Sequence, residues 1–226
     1  MGNAWFSSGF FMGKGFYAEM DENTGDNRCN WNAAGGTDVV EGMLAIARHP
    51  AFAAMDGAAF ITGAKDGSII AGVSGAWDTE GVIDAWGDNW AAAKLPTFTV
   101  AGQQVQQWMF GGSKLIGVNA FSEYVGWAME LADWLTNYDN QVKRFETRGQ
   151  GPSNIQAAAN PAVTADPALA AFFAQVAYSQ PLRVNHGTFW GPANAMFENI
   201  ALGHPDGTPL QELLDNAVEG ITAPAG

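Results

Sequence analysis

Tryptophan is an awkward residue to fold around. It is large and flat, and its indole N–H needs a partner wherever it is buried. Nine tryptophans stand in this chain of 226 residues, with 14 phenylalanines and four tyrosines. Each ring has two readings: it fills a core, or it forms a flat wall against a ligand with apolar faces, such as a sugar. Both readings need a folded chain, and the residue balance agrees. Residues of the AVILMFWYC set make up 47% and charged residues 15%, which excludes a disordered chain. The length suits one large domain or two small ones.

Charge and cysteine usage remove several function classes. Ten Lys and Arg stand against 23 Asp and Glu, a net charge of −13. So acidic a surface repels phosphate backbones, and no nucleic-acid partner is expected. Cys29 is the single cysteine, which excludes a disulfide scaffold and a cysteine-based structural zinc site. Gly, Lys or Asp interrupts every long apolar run well before the ~18 residues a membrane span needs. The start Met1-Gly2-Asn3-Ala4-Trp5 has no basic stretch, apolar core or cleavage site, so it is not read as a signal peptide.

The pattern along the chain mixes helices and short strands. Residues 3–17 read as a buried helix or packed loop leading to a strand, and 21–27 as a hairpin tip without the ligand register of a calcium loop. A helix is expected from Thr37 to Ala47, capped by Thr37 or by Asp38 with Glu41. The run Ser68–Gly75 reads as a buried strand and Thr79–Trp86 as a short helix. Further strands are expected over 90–98 and 105–118, with a break at Gly111-Gly112. Residues 122–147 read as a helix pair. Asp166-Pro167 opens a helix to 178. Trp190 is expected to open another, to Leu202, and Pro209–Ile221 is a final amphipathic helix. About five or six strands with about seven helices indicate an α/β domain whose Gly-bounded strand ends line a cleft.

Little in the sequence supports catalysis. His49, His186 and His204 stand far apart and none lies in an HExxH pattern, so no metal is expected. Ser113 follows Gly112 without a nucleophile-elbow frame. His186, in the loop before Trp190, has the chemistry of a base, although a loop histidine bonded to backbone is the plainer reading. Asp78, Glu80 and Asp84 have the carboxylates of glycoside hydrolysis, but their clustering fits a helix start. Cys29 beside Trp31 reads as a small, half-buried residue. No catalytic residue and no cofactor are expected.

A binding reading survives. Trp5-Phe6, Trp77 and Phe189-Trp190 sit at element junctions, where α/β folds place ligands. Their rings suit the C–H face of a sugar, while Asp78 and Asn194, beside Trp77 and Trp190, suit its hydroxyls.

Several segments, in order, resemble the maltose/maltodextrin-binding protein family, the sugar receptors of ABC importers. Asn3-Ala4-Trp5-Phe6 is similar to an early aromatic pair of the cleft. Ala59-Phe60 through Gly75-Ala76-Trp77 resembles a strand ending in Gly-Pro-Trp, with Ala76 replacing the proline. Lys94-Leu95-Pro96-Thr97-Phe98 resembles a Leu-Pro-Thr-Phe strand. Phe110-Gly111-Gly112 to Asn119-Ala120 is similar to a hinge-crossing strand, and Glu123 to Tyr138 to a helix crossing between lobes. Thr188-Phe189-Trp190 resembles the Phe-Trp start of a late helix, and Leu210 to Ile221 the closing helix.

This resemblance implies an α/β fold of the periplasmic-binding-protein type II kind. Residues 1–118 would be a first pass through the second lobe, 119–160 a helical segment of the first lobe, and 161–226 the return helices. It implies a C-terminal portion of a receptor, with Trp5, Phe6, Trp77, Asp78, Trp190 and Asn194 at the ligand. The implied partners are a maltodextrin-like oligosaccharide and the membrane permease of an ABC importer, and the implied location is extracytoplasmic, in the periplasm or lipid-anchored. Asn3 and Asn194 replace an acidic and a basic residue of the maltose binders, which argues against maltose itself. Self-association is expected through the 122–147 helices, where Trp127, Trp134 and Phe145 would form an apolar patch. Two competing readings are a truncated domain with no binding of its own and a carbohydrate-active enzyme using Asp78 with a partner carboxylate.

Overall fold

The computed structural model describes residues 1–112 and 114–224. Ser113 lies outside the described residues. The helices are α1 Ala4–Gly13, α2 Gly36–Ala47, α3 Gly57–Asp66, α4 Thr79–Trp86, α5 Val125–Thr136, α6 Tyr138–Arg148, α7 Ile155–Ala158, α8 Pro161–Thr164, α9 Pro167–Val176, α10 His186–Ala201 and α11 Leu210–Ile221. The strands are β1 Ala18–Met20, β2 Asn27–Cys29, β3 Thr97–Val100, β4 Gln103–Gln106, β5 Met109–Gly111 and β6 Ser179–Pro181. They pair as three two-stranded ladders, β1–β2 and β3–β4 antiparallel and β5–β6 parallel. The fold is mixed α/β, as expected.

The chain divides into two compact units. The first comprises Met1–Asp56, Leu95–Gly112 and Gln175–Gly226, the second Gly57–Lys94 and Ser113–Ala174.

The first unit is built around α1. This helix buries Ala4, Ser7, Ser8, Gly9, Phe10, Phe11 and Met12, so nearly its whole circumference faces protein. Its lack of charge and its small residues follow from that position. The two buried serines turn their hydroxyls onto the backbone: Ser8 Oγ donates to Ala4 O at 2.7 Å, and Ser7 Oγ donates to Met1 O. Two glycines one turn apart bring α1 against the strands. A Cβ on Gly9 would stand 1.8 Å from the Trp108 carbonyl oxygen, and one on Gly13 would stand 2.2 Å from that of Gln106. Trp108 N–H instead donates to Gly9 O at 3.0 Å.

Trp31 is the centre of the aromatic core. It is fully buried, stacked on Phe11 at 4.9 Å and 20°, and flanked by Phe197 at 5.5 Å and Phe189 at 6.0 Å. Its Nε1 has no hydrogen-bond partner among the described residues. Here the area of a buried ring outweighs one unmade hydrogen bond, since an aromatic core residue contributes about 3–5 kcal/mol and the lost bond costs about 1–3 kcal/mol.

Helix α2 buries Val39, Val40, Met43 and Leu44, and α11 buries Leu214, Ala217, Val218 and Ile221. The α11 set is the i, i+3, i+4, i+7 stripe of an amphipathic helix, and in α2 the same spacing runs through Gly36, Val39, Val40 and Met43. Helix α10 carries Pro192 inside it, and the proline ring rests against Gly220 of α11, where a Cβ would come within 2.6 Å of the ring.

The second unit has a thinner core. Phe60 packs edge-on against Trp86 at 6.3 Å, and Trp86 Nε1 donates to Ala64 O at 3.1 Å, which joins α3 to α4. Gln141, buried in α6, ties the end of α5 to the segment after α6: its Nε2 donates to Thr136 O at 2.6 Å and its Oε1 accepts from Ser153 N at 2.7 Å. Asn154, Asn160 and Asp166 accept backbone N–H bonds at the starts of α7, α8 and α9, the last as expected from Asp166-Pro167.

Several expectations are corrected. Residues 68–75 form no strand. Gly72 lies against the Phe60 ring, where a Cβ would stand 2.4 Å from it, and Ile70 is 88% exposed, so the run follows α3 as irregular chain. The stretch at Ala59-Phe60, likened to a strand, is helix α3. The cap of α2 is Gly35 in the left-handed region (φ 90°), with no side-chain bond from Thr37 or Asp38. Of 90–98 only Thr97–Phe98 is strand, and 105–118 yields the end of β4 and the short β5 among the described residues. Helix α10 starts four residues before Trp190, because Asn185 caps it by accepting from Gly187 N at 2.9 Å. Trp127 and Trp134 are 77% and 56% exposed, but Phe145 is half-buried.

Candidate functional site

Three elements of the first unit meet where the expected aromatic residues lie: the start of α1, strand β5 and the start of α10. Each is fixed by local chemistry. Asn3 Oδ1 accepts from Trp5 N at 2.8 Å, and Asn194 Oδ1 accepts from Ala4 N at 2.8 Å, so two asparagines hold the first N–H groups of α1. The start of α10 is tied to the β1–β2 hairpin. Buried Asn27 donates from Nδ2 to Asn185 O at 3.0 Å and to Thr188 Oγ1 at 2.9 Å, and its Oδ1 accepts from Asn185 N at 2.7 Å. Asn185 Nδ2 returns a bond to Gly25 O at 2.8 Å. Strand β5 is held by β6 in parallel register, Phe110 opposite Gln180.

Between these elements Phe110 is buried and two half-buried tryptophans lean on it. Trp5 stands 6.1 Å from Phe110 between ring centroids, and Trp190 stands 6.5 Å from it. Phe189, fully buried, packs edge-on against both Phe110 at 6.0 Å and Trp190 at 4.9 Å. His186 stands edge-on to Trp190 at 5.6 Å. Two tryptophans 185 positions apart thus share one buried ring, and each keeps part of its surface in solvent. Such half-open rings offer flat apolar surface of the kind found in ligand sites.

Phe6, the next residue on α1, is half-buried, and its carbonyl accepts from Gln107 Nε2 at 3.3 Å. Asn194, half-buried, commits Oδ1 to Ala4, and its Nδ2 has no hydrogen-bond partner among the described residues. In the second unit, Trp77 is 66% exposed, and its indole lies over Gly75, where a Cβ would stand 2.3 Å from the ring. Asp78 accepts from Ser74 Oγ and precedes α4 without a side-chain bond to that helix. Among the described residues no group of three or more His, Cys, Asp or Glu gathers to hold a metal. No helix among them is long and apolar enough to cross a membrane.

Burial pushes the Cys29 thiol up to about 12, which keeps it protonated.

Sequence reasoning missed Phe110 as the ring on which both tryptophans rest. The signal was a bulky residue at a strand end directly before Gly111-Gly112. It also placed His186 in a loop, whereas it is the first residue of α10.

The family model described as "bacterial extracellular solute-binding protein" matches residues 2–171, about three quarters of the chain. The chain belongs to the bacterial extracellular solute-binding protein family. Within that family the chain is 31% identical over 156 residues to the galactooligosaccharide-binding protein of Bacillus subtilis (strain 168), an alignment covering 68% of this chain and 35% of that protein. Its fold is similar to that of a solved structure determined with acarbose (TM-score 0.83, 26% identity, 98% of this chain and 60% of the other). It is also similar to the maltodextrin-binding protein MalE1 from L. casei BL23, solved without ligand (TM-score 0.79, 22% identity, 98% and 60%). This extracellular solute-binding protein chain therefore spans about a third of the curated relative and 60% of these two solved chains.

Proposed function

We propose that the chain binds a neutral oligosaccharide as part of the receptor of a carbohydrate ABC importer, outside the cytoplasm. The observation that carries this is the pair Trp5 and Trp190 leaning on buried Phe110, half-open to solvent. Sugar rings present flat C–H faces to such indoles and hydroxyls to neighbouring amides. Asn194 Nδ2 is the amide beside Trp190. In the second unit, Trp77 with Asp78 is a separate candidate contact. Membership of the solute-binding family supports the reading, as do a relative named for galactooligosaccharides and a similar structure determined with acarbose. A net charge of −13 favours neutral over anionic ligands. The permease is the partner that such a receptor serves.

Tryptophan-fluorescence titration with maltotriose and a β-linked galactotriose tests the proposal. Saturable binding of one sugar, weakened in Trp5→Ala and Trp190→Ala, supports it. Saturation by neither sugar, or binding that ignores both substitutions, overturns it.

A second proposal concerns the chain itself. Tyr124, Trp127, Leu131 and Trp134 follow 3-4-3 spacing from the residue before α5 along that helix, and all four are exposed. With about 200 Å² per aromatic ring and Tyr124, Trp127 and Trp134 exposed by 68%, 77% and 56%, these rings alone present ~400 Å² of apolar surface, within the upper range for a monomer. This seam supports self-association through another copy of α5.

A further inference from the structure

We infer that His186 is a ligand-contacting residue of the aromatic site, taking a hydroxyl of the sugar that stacks on Trp190; this rests on the oligosaccharide reading above. The three histidines of the chain differ in what the fold asks of them. His204 has both ring nitrogens committed, Nδ1 to Asn199 Oδ1 at 2.6 Å and Nε2 to Thr208 O at 2.6 Å. His49 accepts from Ala51 N at 3.1 Å through Nδ1. His186 is exposed, and among the described residues neither of its ring nitrogens has a hydrogen-bond partner.

Its ring is nevertheless placed. It stands edge-on to Trp190 at 5.6 Å and 87°, one helical turn before it. The backbone beneath it is held by the Asn185 cap and by the Asn27 bonds to Asn185. His186, Trp190 and Asn194 recur every four residues, so they form one stripe along α10. On that stripe Trp190 supplies the flat face and Asn194 an open N–H₂. A neutral imidazole supplies one donor and one acceptor, and a hydroxyl is both. With its ring held beside Trp190 and its nitrogens not spent on protein, His186 has a donor or acceptor to offer a ligand stacked on that indole.

The test is isothermal titration calorimetry of the chain with maltotriose and with a β-linked galactotriose, alongside thermal melts. In His186→Ala, affinity for the bound sugar falls about five- to twentyfold while the melting temperature stays within about 1 °C of wild type, the loss expected for one ligand hydrogen bond. His186→Gln, which keeps a donor and an acceptor, recovers most of the affinity. Unchanged affinity in His186→Ala, with Trp190→Ala still weakening the same sugar, overturns the role of His186 and leaves the oligosaccharide reading standing. Loss of affinity that tracks a lowered melting temperature, with no recovery in His186→Gln, also overturns it and makes His186 structural. No binding of either sugar by the wild-type chain overturns the oligosaccharide reading and this one with it.

Discussion

The amide of Ala4 donates to the side-chain oxygen of Asn194 across 2.8 Å and 190 positions of sequence. That bond ties the first turn of α1 to the middle of α10, and with it Trp5 to the helix that carries Trp190. Asn194→Ala removes the acceptor from a part-buried N–H, at a cost of about 1 kcal/mol and a fall of roughly 2–4 °C in melting temperature. Asn194→Asp keeps the acceptor and places a negative charge at a helix start, so it melts close to wild type. Calorimetry in which Asn194→Ala melts like wild type would refute this role.

The proposed stacking residues separate by their support. Trp5 and Trp190 rest on buried Phe110, whereas Trp77 lies over Gly75 with most of its ring in solvent. Trp190→Ala weakens oligosaccharide binding about tenfold, equivalent to ~1.4 kcal/mol. Phe110→Leu weakens it by less, because it loosens both tryptophans without removing either. A titration in which Phe110→Leu costs more than either tryptophan substitution contradicts the ordering.

The β3–β4 hairpin turns on two residues, Ala101 at φ 47° and Gly102 at φ 79°. Both lie in the left-handed region, the geometry of a type I′ turn that favours Asn-Gly. Ala101→Asn relieves a non-glycine residue in that region and stabilises the chain by about 0.5–1 kcal/mol. Urea unfolding of the variant checks this through its midpoint, which moves upward at unchanged slope.

Burial pushes the Cys29 thiol up to about 12. At pH 8 only about one molecule in ten thousand carries the thiolate, so iodoacetamide labels the folded chain far more slowly than the urea-unfolded chain. The sign for stability follows. The unfolded thiol ionises first, so the contribution of Cys29 is complete below about pH 9 and is lost as pH rises toward 12. Labelling at equal rates in the folded and unfolded chain would refute the burial.

The exposed face Tyr124, Trp127, Leu131 and Trp134 predicts concentration-dependent association. Light scattering should show a mass above 23.9 kDa at high concentration, returning to 23.9 kDa in the double variant Trp127→Glu, Trp134→Glu. A wild-type chain that stays monomeric at high concentration excludes the seam as an interface.

Much of this protein was legible before any tertiary contact was known. Helix α4 begins and ends where the pattern over 79–86 predicts, α11 within one residue, and α9 starts at the expected Asp166-Pro167 cap. Periodicity and capping are local, so the sequence states them directly. The net negative charge and the single cysteine are likewise composition. The run 68–75 departs from the expected strand because a short apolar, Gly-bounded segment has the same pattern as strand or as coil. The Phe60 ring against Gly72 decided between them. Tertiary structure alone placed Phe110 between Trp5 and Trp190, spent Asn194 on Ala4, and left His186 unspent beside Trp190. These relations join residues up to 190 positions apart, and such long-range choices are set by packing and hydrogen-bond competition that no local pattern encodes.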